Sequence, residues 1–578
     1  MRKVAVTVAF IVALLAVAAL AFTWLNSLVN SIYGYSSPLK GDPPREEYIH
    51  QPLTSHVVLV VVDGLRHDTS LRMPNLNALR HRGAEARMLT LAPSTTLPSW
   101  TTLVSGAGPE INGAPLLDRD YPWISPLTVD NLFASLSRVG ATAGIAGFYW
   151  WEKLVPPARL HTKYYVSTEG EATDWDVVAR ACRFVTEFQP NFLLIHLRQL
   201  ELVGQHHGAT SLEYERAALS CDRQIQLVAS SMDLGSSVLI VVSSYGLLDQ
   251  GSHGADEPIT LYTPFVMVGE SVRTGKYKEV SATDLAPTIA ALLGIPAPSA
   301  AQGQMRVEML RMNAADRADK LVSLASQRVH LGNVYLGSVG RGSVSDTAEG
   351  DMLVALSSLQ VKNYDSASEL ASLAVQQVNR EMQEARRSRI WGERARRAAP
   401  IALLGLIVLS VIWHLRGWTA LWSLLAALVS AALYHVLFLR EGHLYSFSNI
   451  PPGGLATTLQ PSIPRAAICL ALGAAVVAWR ARREGVQAPF SVVVRSYGYG
   501  ASVLFWIASL LAAATLVNGP RFSWHLPSFV LAYVQFVALM QAMVVAILSI
   551  ALPLFVLPLY GGLRAATHQM LSAGAKKG

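Results

Sequence analysis

The chain has 578 residues, 51% of them hydrophobic and only 15% charged, with a formal net charge of +7. That length accommodates a large domain and a second unit, and that apolarity excludes an ordinary soluble protein and points to membrane spans. The positive excess does not indicate nucleic acid, because much of it lies in arginines that flank apolar runs and no RNA- or DNA-binding motif is present.

Residues 4–25 form an apolar run behind Met1-Arg2-Lys3. Ala19-Leu20-Ala21 has the small-residue form of a signal cleavage site, but the run is long for a signal, so a retained anchor over 1–25 is the favoured expectation. Either way the next segment lies outside the cytoplasm. Residues 26–54 read as a linker, with Ser37-Pro38-Leu39-Lys40-Gly41-Asp42-Pro43-Pro44 at its centre.

From residue 56 the pattern changes. The continuous apolar, β-branched run 56–62 ends in Asp63-Gly64, which is how a fully buried parallel strand reads. Similar runs cover 143–150, 191–197, 237–243 and 263–268, with helical patterns at 128–139, 175–187 and 212–230. The alternation predicts an α/β domain over 55–304, with a mostly parallel sheet covered by helices on both faces. Ligands of such sheets bind at the carboxyl ends of strands. Asp63, His196 and Ser243-Ser244-Tyr245 all fall at strand ends, so they can share one site.

Several motifs punctuate this region. Val61-Val62-Asp63-Gly64-Leu65-Arg66 closes the first strand, and Met73-Pro74-Asn75-Leu76 opens a helix. Thr96 stands before Leu97-Pro98 at a helix start, in the segment from Pro93 to Gly106, with Pro109-Glu110-Ile111-Asn112-Gly113 behind it. Further on come Glu201-Leu202-Val203-Gly204-Gln205-His206-His207-Gly208, Ser243-Ser244-Tyr245-Gly246, Gly251-Ser252-His253-Gly254, and Asp284-Leu285-Ala286-Pro287-Thr288 running to Leu292-Leu293-Gly294. Together they resemble the alkaline-phosphatase superfamily, specifically its type I phosphodiesterase/nucleotide-pyrophosphatase and GPI ethanolamine phosphate transferase branches, over about residues 55–300.

The resemblance implies a two-zinc site with Thr96 as nucleophile. A bound metal stabilises the Thr alkoxide, and the helix N-terminus favours the phosphate charge. One ion would be held by Asp63, Thr96 and an Asp-His pair, but that pair is Ser244-Tyr245 in this chain, and neither is a good zinc ligand. The other would be held by an Asp-x-x-Gly-His motif and His253. Here Glu201 replaces the Asp, Gln205 stands at the His position, and His206 and His207 follow. The metal set that survives is Asp63, Glu201, His206 and His253, with Gln205, Ser244 and Tyr245 as degenerate ligand positions. A pair of surface histidines in a polar loop describes His206 and His207 equally well.

The cofactor expectation is therefore one divalent ion, zinc by family habit, and not a full two-zinc pair. Three functional readings stay open. The domain is catalytically silent and acts as a binding or scaffolding module; or it is a one-metal phosphodiesterase or phosphoethanolamine-type transferase using Thr96 or water; or the membrane bundle handles lipid, with His414 and His435 as its main ionisable groups. Expected partners are membrane lipids and, in the enzymatic reading, a phosphoester or lipid-linked substrate, with no nucleic acid.

Residues 305–398 read as a helical stalk, with helices at 348–359 and 364–397, the second running into the first span of a C-terminal bundle over 399–560. The spacing around Tyr364 faintly resembles a tetratricopeptide hairpin, without a repeat to support it. Apolar runs cover about 399–415, 418–439, 463–479, 497–517 and 529–560, the last with Pro553 and Pro558 and hence an expected kink or break. With the first run this makes six spans, five or seven being admissible. Six spans place Arg2, Lys3, Arg480, Arg482, Arg483, Arg495, Arg564, Lys576 and Lys577 on one side, which the positive-inside rule makes cytoplasmic. The expectation is a multi-pass protein of the cell membrane with its main domain extracytoplasmic and the tail 561–578 cytoplasmic. The basic stretch 386–397 then lies outside, either against anionic head groups or as a solvated helix face. Cys182 and Cys221 fall in the outer domain, where a disulfide is permitted but two unpaired thiols fit as well.

Overall fold

The computed structural model describes residues 2–117, 121–168, 170–414, 418–449, 457, 460–486 and 488–574. The chain divides into two compact units. One comprises Met1–Ser31, Trp391–Phe522 and Pro527–Gly578; the other comprises Ile32–Ile390 with Ser523–Leu526.

The second unit is built on a sheet of nine strands among the described residues: β1 (His56–Val62), β2 (Ala84–Leu89), β3 (Ala143–Phe148), β4 (Thr162–Val166), β5 (Phe192–Leu197), β6 (Ser237–Val242), β7 (Tyr262–Val268), β8 (Gly275–Lys276) and β9 (Val280–Ser281). Their order is β4-β3-β5-β1-β6-β7-β2-β8, with β9 also on β2. The run from β4 to β6 is parallel throughout. β7 turns antiparallel against both β6 and β2.

β1 explains why the sheet is covered on both sides. Its odd residues Val57, Leu59 and Val61 pack with Leu97, Trp100, Leu103, Ile289 and Leu292. Its even residues Val58, Val60 and Val62 pack with Leu76, Leu79, Val177, Ile225 and Val228. Side chains of a strand alternate between faces, so a strand that is apolar at each position must be buried on both. Each such burial is worth about 1.5–3 kcal/mol, which fixes β1 at the centre and sets its carboxyl end where the site forms.

The helices Ala314–Ser338, Asp346–Gln360 and Tyr364–His414 follow. Ala318, Leu324 and Ala325 of the first, with Ala367, Ala371 and Ala374 of the last, enter the same apolar core as Trp100. Arg328 is fully buried, and its two terminal nitrogens donate to Asn379 Oδ1 at 2.7 Å and the Gly303 carbonyl at 2.6 Å. Cys182 and Cys221 are unpaired thiols.

In the first unit five helices among the described residues are long and apolar enough to cross a membrane: Lys3–Tyr33, Leu421–Arg440, Ser462–Arg483, Pro489–Asn518 and Phe529–Leu563. The apolar run from 399 continues the Tyr364–His414 helix, with Pro400 inside it. Leu415, Lys576, Lys577 and the side chains of His414 and Arg564 lie outside the described residues. The helix Phe529–Gly574 is unbroken through Pro553 and Pro558. Small residues let these helices approach closely. Ser430 and Tyr499 share a hydroxyl–hydroxyl bond of 2.7 Å, and a Cβ at Gly473 would come within 1.9 Å of the Tyr499 hydroxyl.

Candidate functional site

Local backbone geometry brings the site together at the carboxyl edge of β1, β5 and β6. Asp63 follows β1. Gly64 then turns with φ +77°, and a Cβ there would lie 2.8 Å from the Cα of Glu201, so the turn presses against the helix Gln199–His207 behind β5. Thr96 opens the helix Thr96–Ser105, and Ser244 and Tyr245 follow β6. Gly251, at φ +93°, sits so close to the Gly204 carbonyl that only glycine fits, which delivers His253 to the same helix. Asp63, Ser244 and Tyr245 are wholly buried, with Glu201 and Thr96 almost so.

The Asp63 carboxylate is surrounded by hydrogen-bond donors. Ser244 Oγ donates to its Oδ1. The Trp100 indole N–H reaches both oxygens, at 3.1 and 3.2 Å. His196 Nε2 lies 2.8 Å from Oδ2, while its Nδ1 accepts from the Phe148 N–H at 3.4 Å. That second bond assigns the proton to Nε2, so the imidazole donates to Asp63. Trp100 is held in place by stacking on Trp151, with ring centroids 4.8 Å apart.

Glu201 has a different company. Its Oε1 takes the Tyr245 hydroxyl at 2.8 Å and the Gln205 amide at 3.0 Å, and His253 Nε2 is 3.1 Å away. Its Oε2 takes Arg198 Nε at 3.1 Å. Burial alone would raise the Glu201 pKa, but His253, Arg198 and the Tyr245 hydroxyl outweigh burial and hold it well below the usual carboxylate range. His253 Nδ1 donates to the Ser94 carbonyl at 2.6 Å, and the Tyr245 ring stacks on the imidazole at 4.2 Å.

Tyr245 joins the two halves. Its proton goes to Glu201, so the 3.1 Å contact with Thr96 Oγ1 is one in which Thr96 donates and the phenol accepts. Through the phenol, the Thr96 proton is linked to a carboxylate held too acidic to serve as an effective base.

The sequence expectations fall as follows. Asp63, Thr96, Glu201, Ser244, Tyr245 and His253 converge. Gln205, four residues from Glu201 on one helix, meets it; His206 is exposed, with the His207 ring 6.5 Å away. Asp68, just after Asp63 and not a candidate ligand, is taken up by Arg66, which also binds Asp249. The parts played by Trp100 and Arg198 are not legible in the sequence, since an indole N–H within an apolar helix and an arginine after a strand carry no distinctive spacing.

These residues do not fit a pair of zinc ions. Zinc takes thiolate, imidazole or carboxylate ligands at about 2.0–2.3 Å. Around Asp63 the hydroxyl, the indole and the imidazole all turn protons toward the oxygens that would hold a cation. Among the described residues no group of three or more His, Cys, Asp or Glu side chains is placed to share a metal ion.

Residues 57–115 match the type I phosphodiesterase/nucleotide pyrophosphatase family. The chain is 24% identical over 303 residues to GPI ethanolamine phosphate transferase 2 of Aspergillus fumigatus, covering 47% of this chain and 39% of that one. It is 25% identical over 278 residues to the human GPI ethanolamine phosphate transferase 2 catalytic subunit, covering 44% and 28%. It is 24% identical over 349 residues to mouse GPI ethanolamine phosphate transferase 1, covering 51% and 37%. The chain thus spans less than two fifths of the length of these relatives. Among solved structures, human ectonucleotide pyrophosphatase/phosphodiesterase 5 aligns with TM-score 0.35 and 16% identity, over 42% of this chain and 95% of that one. The sequence matches bear out the resemblance drawn from the motifs, and with the apolar helices they describe a multi-pass membrane protein similar to phosphoester-processing relatives.

Proposed function

We propose that the α/β unit is a phosphodiesterase-like domain whose two-zinc site has been replaced by an internal hydrogen-bond lock, so that it serves as a membrane-anchored binding or scaffolding module. The observation that carries this reading is the Tyr245 hydroxyl, which occupies Thr96 and Glu201 together. The Ser244 hydroxyl on Asp63 supports it from the other side. Losing one half of a two-metal clamp removes stabilisation of either the attacking or the leaving oxygen, and here the Asp63 half retains one carboxylate among proton donors. In this reading the domain is extracytoplasmic and the tail cytoplasmic, on the strength of the basic loops.

A second reading keeps phosphoester chemistry with one divalent ion on Glu201 and His253, acting on a lipid-linked or other phosphoester with water or Thr96 as nucleophile. The 3.1 Å approach of those two side chains favours it. Against it, Glu201 is already bonded to Tyr245, Gln205 and Arg198. Hydrolysis of bis(p-nitrophenyl) phosphate by the full chain, with added zinc, separates the two. The lock predicts equal background rates for wild type and Thr96→Ala. A wild-type rate above the zinc-only background restores the enzymatic reading, with Thr96 as nucleophile where Thr96→Ala abolishes it and water where the rate persists.

A further inference from the structure

At one end of the membrane unit, three helices enclose a small cleft. Trp422, Ser423 and Ala426 come from Trp418–Arg440, Val476, Val477 and Arg480 from Ser462–Arg483, and Arg495 from Pro489–Asn518. Its volume is about 30 Å³, enough for one or two water-sized groups and too little for an acyl chain. The chemistry around it is one-sided. Arg480 lies over the Trp422 ring at 5.3 Å and Arg483 over Trp479 at 4.5 Å. Lys3 lies over Phe490 at 5.7 Å. A single carboxylate, Glu484, faces them: its Oε1 takes Arg480 Nε at 2.7 Å and its Oε2 takes Arg495 Nη1 at 2.6 Å.

That carboxylate clips two guanidinium forks together without satisfying them. A guanidinium carries five N–H donors. Arg480 spends its Nε–H and Arg495 one terminal N–H, and their remaining donors have no protein acceptor among the described residues. Paired forks with spare donors are suited to a phosphate, whose oxygens match them two at a time. Beside the cleft, Leu421, Leu425, Leu472 and Val476 are exposed along the same helices, an apolar surface for chains that the cleft itself cannot admit.

We infer that the Arg480 and Arg495 forks bordering this cleft bind the phosphate of an anionic membrane phospholipid, with no more than one or two of its oxygens inside the cleft, Trp422 and Trp479 as interfacial anchors, and the acyl chains on the adjoining helix faces. Glu484 is a competitor for the same donors, so it sets the affinity by occupying the forks in the lipid-free protein.

The test is native mass spectrometry of the full chain extracted from nanodiscs of mixed phosphatidylglycerol and phosphatidylcholine. Wild type should retain phosphatidylglycerol adducts and shed phosphatidylcholine. Arg480→Gln with Arg495→Gln should lose the adducts by about tenfold, one 1.4 kcal/mol step in affinity, while Arg521→Gln, beyond the other end of the third helix, should keep them. Glu484→Gln should retain more lipid than wild type, a gain that a misfolded or merely structural clip cannot produce. Equal retention of the two lipids, unchanged adducts in the double variant, loss of adducts in Glu484→Gln, or displacement of the lipid by inorganic phosphate alone would each overturn the assignment.

Discussion

The two carboxylates of the candidate site, 138 positions apart in the chain and adjacent in the fold, have met opposite fates. Asp63 is sealed from solvent and bonded by a serine hydroxyl, an indole and an imidazole N–H. Glu201 keeps a charged guanidinium and an imidazole as partners, and Arg198, Gln205 and His253 all reach solvent to some degree. The contrast teaches that two neighbouring carboxylates at one sheet edge can be satisfied in different ways, one by neutral donors in the core and one by charged groups near solvent. With Ser244 and Tyr245 at the end of β6, the Asp63 half is a piece of core, held together by its own hydrogen bonds. The Glu201 half is still an electrostatic site, closed mainly by one phenol from the other half.

The largest expected effect comes from attacking the sealed half. Asp63→Ala leaves the Ser244 hydroxyl, the Trp100 indole and the His196 imidazole, all buried, without their common acceptor. The expected cost is about 3–5 kcal/mol, since each buried orphan loses on the order of 1–3 kcal/mol. Thermal unfolding of the full chain in detergent measures it, and an unchanged melting temperature would mean that Asp63 is not part of a lock. Glu201→Ala should cost less, because Arg198 and His253 can turn to water.

Cutting the bridge between the halves is next. Tyr245→Phe keeps the ring stacked on His253 but removes the hydroxyl between Thr96 and Glu201. A loss of about 1–3 kcal/mol is expected, again from unfolding. If Tyr245→Phe is neutral, the phenol does not couple the halves.

Smallest are the effects on the exposed side. Gln205→Ala should cost less than about 1 kcal/mol, because Glu201 keeps three other partners, and His206→Ala should fall within about 0.5 kcal/mol of wild type. A larger effect of His206→Ala on stability in the presence of zinc than in its absence would move the expected metal ligand back to His206.

What could be foreseen from the sequence follows the same divide between buried and half-buried. β1, β5 and β6 are unbroken apolar runs and declare themselves. β2 does not: Ala84–Leu89 alternates with Glu85 and Arg87 on its open side, because it pairs antiparallel with β7 near the sheet edge. The helix Ala314–Ser338, capped by Asn313 accepting from the Asp316 N–H, does not declare itself either. Its apolar positions are diluted by charges, and its partner surface lies far away in the sequence.

Within the site, strand ends announced Asp63, His196, Ser244 and Tyr245. The sequence reads His206 and His207 equally well as surface histidines in a polar loop, whereas the segment from Gln199 to His207 is helical. In a helix residues four apart share a face, while residues five apart point about 140° from each other. Gln205 therefore meets Glu201 and His206 cannot. Trp100 escaped notice because its contact with Asp63 depends on how the Thr96–Ser105 helix is rotated, which no local pattern records.

The most direct measurement is zinc per chain, by elemental analysis of wild type and of Ser244→Asp with Tyr245→His, both dialysed against zinc buffer and then washed. The lock predicts little metal in wild type and a clear increase in the double variant, where an acid and an imidazole return beside Asp63. Two tightly held zinc ions per wild-type chain, resistant to the wash, would contradict it.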